Sequence, residues 1–318
     1  MQLTRKKEPS LGSLKKKNIT IKNDYLVKMQ LRHLWLTNVI PLLGFLVLLG
    51  LIWQNGIHGL DIALLIGMYT LSLFGITVGF HRHFSHGAFE TNQVIKVILA
   101  ILGAMAAQSP LVYWVAQHRR HHAYSDLDGD PHSPHIHQGK LLGQLEGLWH
   151  GHVGWVLVPE ATNTTLFARD LIQDPLIYKV SQLYFVWVLI GLLIPTVLGG
   201  VLTASWLGAF SGFLWGGLAR IFLAQQTTFS INSICHIYGS RSFDTRENST
   251  NNLWLAIPTV GEAWHNNHHA FPNSAKFGLQ WWQVDLGYLV IRVLQLLGLA
   301  WDVKAPTAEM IEAKKVAQ

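Results

Sequence analysis

Four stretches of this chain stay apolar for the thickness of a bilayer: Leu34–Trp53, Ile62–Phe80, Leu183–Leu202 and Trp206–Gln225. A hydrocarbon core of about 30 Å needs about 20 such residues in a helix, so each run predicts a transmembrane helix. The links within each pair are QNGIHGLD and TAS, and neither carries Lys or Arg. Nine Lys/Arg precede residue 33 instead. Cationic flanks stay on the cytoplasmic side. The N-terminus is therefore expected in the cytoplasm and both links outside, which makes two helical hairpins.

Two further apolar runs read differently. Val94–Tyr113 is long enough to cross, but it holds Lys96 and ends in Gln-Ser-Pro. Leu279–Trp301 is interrupted by Asp285 and Arg292, seven residues apart and so on one helix face. Both are expected to be interfacial or packed helices. The predicted fold is an all-α membrane protein: four transmembrane helices in two hairpins, interfacial amphipathic helices, and a cytoplasmic histidine-rich cap. Residues 1–30 are read as a basic cytoplasmic tail, 31–304 as one membrane domain and 305–318 as a polar C-terminal tail.

Composition agrees. The 318 residues are 50% hydrophobic and only 13% charged, about half the charged share of a soluble domain. The single cysteine, Cys235, excludes a disulfide framework and any Cys-based zinc or iron–sulfur site. The net charge of +6 comes largely from the N-terminus, where an anionic lipid surface is a simpler partner than nucleic acid. The long basic segment and the full-length first apolar run, with no small-residue cleavage site, do not read as a signal peptide.

Chemistry enters with the histidines. HRRHH places His118, His121 and His122 at i, i+3 and i+4, and HNNHH does the same with His265, His268 and His269. Residues so spaced share a helix face, so each segment can aim three imidazoles at one point. HRHFSH adds His81 and His86, provided that His86 lies on a turn or distorted helix end. His83 points elsewhere and is given a structural role. NSICH adds Asn232 and His236, one turn apart. A lone helical histidine is ordinarily packed or solvated, and His33, His58, His135, His137 and His150 are read that way. Imidazole suits Zn, Cu, Fe and Ni. Eight or nine imidazoles exceed the four to six positions of one ion, so two metals are implied. A transporter would want ligands at membrane depth, yet the four apolar runs contain no His and only one charge, Arg220.

HRHFSH, HRRHH followed by SDLDGDPHSP, and HNNHHAFP together resemble the integral membrane fatty acid desaturases. The similarity extends from about residue 35 to residue 304 and takes in HGHVGW, NSICHIYGSR and GLQWWQVDLGYLVIRVLQLLGLA. The nearest likeness is to the bacterial, cyanobacterial and plant Δ9-type acyl desaturases. The resemblance implies two Fe ions held by His81, His86, His118, His121, His122, His236, His265, His268 and His269, with Asn232 reaching one ion through water. It implies O2-dependent removal of hydrogen from two adjacent CH2 groups, leaving a cis double bond and water. Iron is needed because zinc has no redox step. Asp130, Asp126, Glu262 and Glu90 are the carboxylates expected to orient the imidazoles, Asp130 foremost. Gln108, Trp114 and Thr228 match positions that bend the substrate tunnel.

The chain lacks a haem-binding HPGG segment, so a separate electron donor is expected, such as ferredoxin or a cytochrome b5-like protein. Charges that animal acyl-CoA enzymes carry just before their HRxHH box and after HVGWLLV are replaced here by Ala116, Gln117, Pro159 and Glu160, so a CoA phosphate loses two partners. This favours a lipid-linked fatty acyl substrate, with acyl-CoA and acyl carrier protein as the other carriers. Membrane lipids are expected neighbours, and a bacterial inner membrane the location. The competing readings are a hydroxylase on the same scaffold and a metal-binding lipid sensor or transporter.

Overall fold

The computed structural model describes residues 19–135 and 141–316. Most of the basic tail and His137 lie outside the described residues. In chain order, the helices that build the site are α1 (Asp24–Gln54), α2 (Gly59–Ser85), α3 (Gln93–Met105), α4 (Leu111–Tyr124), α5 (Tyr184–Thr203), α6 (Trp206–His236), α7 (His265–Ala270) and α8 (Leu286–Leu296). Of these, α1, α2, α5 and α6 are long and apolar enough to cross a membrane.

These four helices match the four expected runs, except that Leu183 is the N-cap of α5, and three of them extend well past the runs. At 31 residues, α1 and α6 are each about 46 Å long, more than a hydrocarbon core requires. The extra turns carry polar side chains away from the apolar bundle; those of α6 run on through Asn232 to His236. Local chemistry sets the ends. Asn23 accepts from the amides of Tyr25 and Leu26 at the start of α1, and Ser205 does the same for Leu207 and Gly208 at α6. α6 packs on α1, α2 and α5 and is the centre of the bundle.

Val94–Tyr113 does not form one helix. α3 spans 13 residues, about 20 Å, too short to cross. The chain turns at Ala106–Pro110 and returns as α4. Lys96 pairs with Asp174 at 3.0 Å. α3 packs tightly on α2: a Cβ added to Gly75 would collide with the backbone of Gly103.

The second doubtful run is corrected in detail. Asp285 and Arg292 do not share a helix face, because Asp285 precedes α8 as its N-cap and accepts from the Tyr288 amide at 2.9 Å. The side chain that ends the apolar pattern is thus the one that starts the helix. The polar C-terminal segment is partly ordered too: Ala308–Lys314 is a helix whose Ile311 packs with Phe243, Ala270 and Phe271. Two short antiparallel pairings, Thr20–Ile21 with Ala161–Thr162 and Glu90–Thr91 with Ala300–Trp301, tie the peripheral segments down.

Candidate metal centre

The histidines converge in two groups. His81, His86, His118, His122 and His268 form one; His121, His236, His265 and His269 form the other. Within each group the donor atoms lie within 4.8 Å of one another. Neither HRRHH nor HNNHH aims all three imidazoles at one point. On α4, His118 and His122 serve the first group and His121 the second; on α7, His265 and His269 serve the second and His268 the first. Helix geometry explains the fork. Residues at i and i+4 differ by about 40° around the axis, whereas i+3 turns about 60° the other way. Each helix therefore gives a pair to one group and a single imidazole to the other.

HRHFSH reaches the first group by a change of winding. Gly75–Ser85 is π-helical, and the His86 amide donates to His81 O at 3.2 Å, five residues back. A turn closed over five residues returns both rings to one side, as the sequence reading required. His83 stays outside and holds the Phe89 carbonyl at 3.0 Å. Also outside are His33 on the Tyr184 hydroxyl, His58 on Asp61 and His135 on the His236 carbonyl.

The imidazole nitrogens are spaced for a shared cation. Nε2 pairs stand at 2.8 Å (His86–His118), 2.9 Å (His122–His268) and 3.0 Å (His81–His268) in the first group. The second group has 3.1 Å for His236–His265 and His265–His269, and 3.4 Å for His121–His269. Nitrogens about 2.1 Å from one ion, at right angles, would stand about 3 Å apart. Burial and the charges of neighbouring histidines hold His118, His122, His265, His268 and His269 well below the ordinary imidazole range. Both effects favour the neutral form, the one that binds metal.

Carboxylates fix the outer nitrogens. His121 Nδ1 donates to Asp130 at 3.0 Å, His236 Nδ1 to Asp126 at 3.1 Å, and His81 Nδ1 to Glu262. Each contact leaves Nε2 facing the group. Burial alone would raise the Asp130 carboxyl; the His121 charge and hydrogen bond outweigh it and hold the group well below its usual range. Glu262 is also gripped by Thr77 and by Arg82, at 2.9 Å, and the same guanidinium holds Asp285 at 2.8 Å. Glu90 is exposed in a two-residue strand and is not brought to either group. Sequence reading missed Glu247, 3.7 Å from His269 Nδ1, and His132, which joins His121 and Asp130 in a third cluster. His132 carried a signal, since it lies in DPHSP; Glu247 sits in an irregular loop that offers no periodicity.

Two cavities meet below the histidines. The larger, about 540 Å³, is lined by Leu26, Met29 and Leu36 of α1, by Gln117 and Glu160, and by Gln108, Trp114 and Thr228. The smaller, about 40 Å³, is lined by Leu73, Ile76, Thr227, Ile231 and Val260, with His81, His121 and His265. Trp114, His118, Thr228 and Asn232 line both. Gln108 joins the boundary residues: it accepts from Trp114 Nε1 at 3.0 Å and donates to Thr228 at 2.7 Å. Asn232 is a wall residue of both cavities.

Comparison with known proteins matches this arrangement. A family model described as fatty acid desaturase matches residues 53–295. The chain is 53% identical over 304 residues to a hex-5-enoyl-[acyl-carrier protein] acetylenase of Moorena producens, covering 95% of this chain and 94% of that protein. It is 39% identical over 245 residues to an sn-1 stearoyl-lipid 9-desaturase of Anabaena variabilis, 76% of this chain and 83% of the relative. It is 36% identical over 252 residues to Delta-9 acyl-lipid desaturase 1 of Arabidopsis thaliana, 78% of this chain and 76% of the relative. Two histidine groups above an apolar cavity, with a family match over most of the chain, make this protein a member of the fatty acid desaturase family.

Proposed function

We propose that the chain carries out O2-dependent desaturation of a fatty acyl chain at a diiron centre, forming a cis double bond at a Δ9-type position on the cytoplasmic face of a membrane. The observation that carries this reading is the pair of all-nitrogen donor groups at the junction of two apolar cavities. His81, His86, His118, His122 and His268 would hold one iron; His121, His236, His265 and His269 would hold the other, with Asn232 approaching through water. Bound iron supplies the redox chemistry with O2.

The protein's own residues do the rest. The larger cavity receives the carboxyl end of the chain, and its depth sets how many carbons precede the reacting pair. Gln108, Trp114 and Thr228 bend the chain beneath the histidines. The buried, mostly apolar walls keep bulk water from the reacting carbons. Asp130, Asp126 and Glu262 hold the imidazoles in the metal-facing tautomer. The balance is one CH2–CH2 unit, O2, two electrons and two protons giving one CH=CH unit and two waters. A separate protein donor, ferredoxin or a cytochrome b5-like protein, supplies the electrons.

Expression in a host without desaturases, with double-bond localisation by mass spectrometry and iron analysis of the purified protein, tests this reading. A new cis alkene with about two irons per chain supports it; an alcohol product points to a hydroxylase, and unchanged lipids with retained metal point to a sensor or transporter.

A second reading has its own support. The smaller cavity, with His81, His121 and His265 in its wall, leaves little room for the methyl end. Tyr69 backs its wall: it packs on the cluster of Leu73 and Val260 and hydrogen-bonds Thr227 at 2.8 Å and the Pro258 carbonyl at 2.7 Å. A substrate reacting near its methyl end suits such a site, and the Moorena relative is named for a six-carbon chain on acyl carrier protein. In this reading the protein converts an alkene near the end of a short carrier-linked chain to an alkyne. The same host, supplied with hexanoic and hex-5-enoic acids, separates the two.

A further inference from the structure

Arg220 is the one charge in the four apolar runs, and its side chain is fully buried. Among the described residues no carboxylate pairs with it. Its guanidinium donates instead to Met105 O at 2.5 Å, Gly191 O at 2.9 Å, Gly216 O at 3.1 Å and the Ser72 hydroxyl at 3.2 Å. Gly191 leaves the space: a Cβ there would stand 3.2 Å from Nη2. A charge at membrane depth is costly and is kept where it has a task.

That task is at Met105, the last residue of α3. A helix that stops inside the protein leaves unpaired carbonyls and the negative end of its dipole. Arg220 answers both. The chain then makes an irregular turn in which Ala107 adopts φ +59, a left-handed conformation that an alanine holds only under constraint. The Ala107 carbonyl accepts from Gln225 Nε2 at 3.2 Å, and the same amide reaches Thr37 O in α1 at 2.6 Å. Arg220 and Gln225 thus grip the turn on either side of its strained residue. The next residue is Gln108, which bridges Trp114 and Thr228 where the cavities meet. Arg220, Gln225 and Thr228 all belong to α6, so one helix carries both anchors and the far end of the bridge.

We propose that Arg220 and Gln225 are positioning residues that hold the Ala106–Ser109 turn in register, and through Gln108 decide which pair of acyl carbons lies beneath the histidines. The inference rests on the acyl-desaturase reading. A slackened turn still admits the chain and leaves the metal groups untouched, but lets the bend slide by one carbon. The signature is therefore a change in double-bond position, which a general loss of folding does not produce.

The test compares wild type, Gln225→Leu, Arg220→Lys, Gln108→Leu and the Gln225→Leu/Gln108→Leu double variant in a desaturase-free host. Double bonds are localised by mass spectrometry, and iron per chain and thermal stability are measured on purified protein. Gln225→Leu should raise the share of displaced double bonds about fivefold, the factor that one hydrogen bond's net worth sets, with iron content unchanged. Arg220→Lys should shift the position the same way. The double variant should shift no further than Gln108→Leu alone, because both changes act through one side chain. A wild-type double-bond profile in Gln225→Leu, or additive shifts in the double variant, overturns the inference. If wild type itself forms no new multiple bond, the desaturase reading fails, and that result is distinct from the other two.

Discussion

His121 and His268 have exchanged places. Each is the i+3 histidine of its segment, and each joins the group built on the other's helix: His268 Nε2 stands 2.9 Å from His122, and His121 Nε2 stands 3.4 Å from His269. The two groups therefore share α4 and α7 and cannot be shifted independently. Replacing either residue with Ala should lower metal content in both groups, taking iron from close to two per chain to well below one. Iron analysis of the purified variants checks this. A clean drop to one iron would show that the groups fill separately.

The carboxylates behind the imidazoles should tune affinity without being ligands. Asp130→Asn, Asp126→Asn and Glu262→Gln should each weaken iron retention about 10–100-fold in chelator competition. Glu247→Gln, by the longer contact to His269, should weaken it less. Glu90→Gln should leave it unchanged.

Carrier preference is expected to follow the larger cavity's mouth. Gln117 and Glu160 line that cavity, and the Glu160 carboxylate pairs with Lys22 at 3.4 Å. Neither Gln117 nor Glu160 offers a nucleotide phosphate a cation, and Glu160 already engages Lys22. Turnover of acyl-CoA should be slow beside that of a lipid- or carrier-linked chain with the same electron donor. Glu160→Arg should raise kcat/KM for acyl-CoA about tenfold or more, the value of a charge-assisted hydrogen bond. Rapid use of acyl-CoA by wild type would refute the argument.

Chain length should be set at Tyr69. Tyr69→Ala removes the ring that supports the Leu73, Thr227 and Val260 wall of the smaller cavity and should shift product profiles toward longer chains. Each methylene accommodated changes selectivity by roughly tenfold or more. An unchanged profile in a correctly folded, iron-loaded variant would place the limit elsewhere.

The packed, non-crossing reading of α3 has a direct check. Glu90→Cys and Leu127→Cys, both exposed sites, in a Cys235→Ser background should be labelled from the same side of the membrane. Labelling from opposite sides would contradict the convergence of His86 with His118.

Much of this was legible in the sequence because helical spacing is local. HRRHH and HNNHH declare their shared faces without knowledge of the fold, and HRHFSH needed only a distorted turn, which the π-helical winding supplies. What was hidden is non-local. That the single imidazole of each trio joins the pair of the other depends on how α4 meets α7, about 145 residues away. Arg82 meets Asp285 across 203 positions, so Asp285 read as a break in an apolar face although Asp ahead of LGYLV is an ordinary helix-start signal. Glu90 lies only four residues from His86 in sequence, but its pairing with Trp301 takes it elsewhere.

The winding of Gly75–Ser85 makes residue number matter there as much as residue type. A π-helical stretch is an α-helix carrying one surplus residue. Deleting a single residue between Gly75 and Phe80 would let the helix relax to α-helical pitch while keeping its apolar length. His81 would keep its side of the helix, whereas His86, five residues on, would stand about 140° from it around the axis and leave the group. Substitutions at several of these positions are survivable, but a change of count is not, and a deletion scan across α2 should show its sharpest break there.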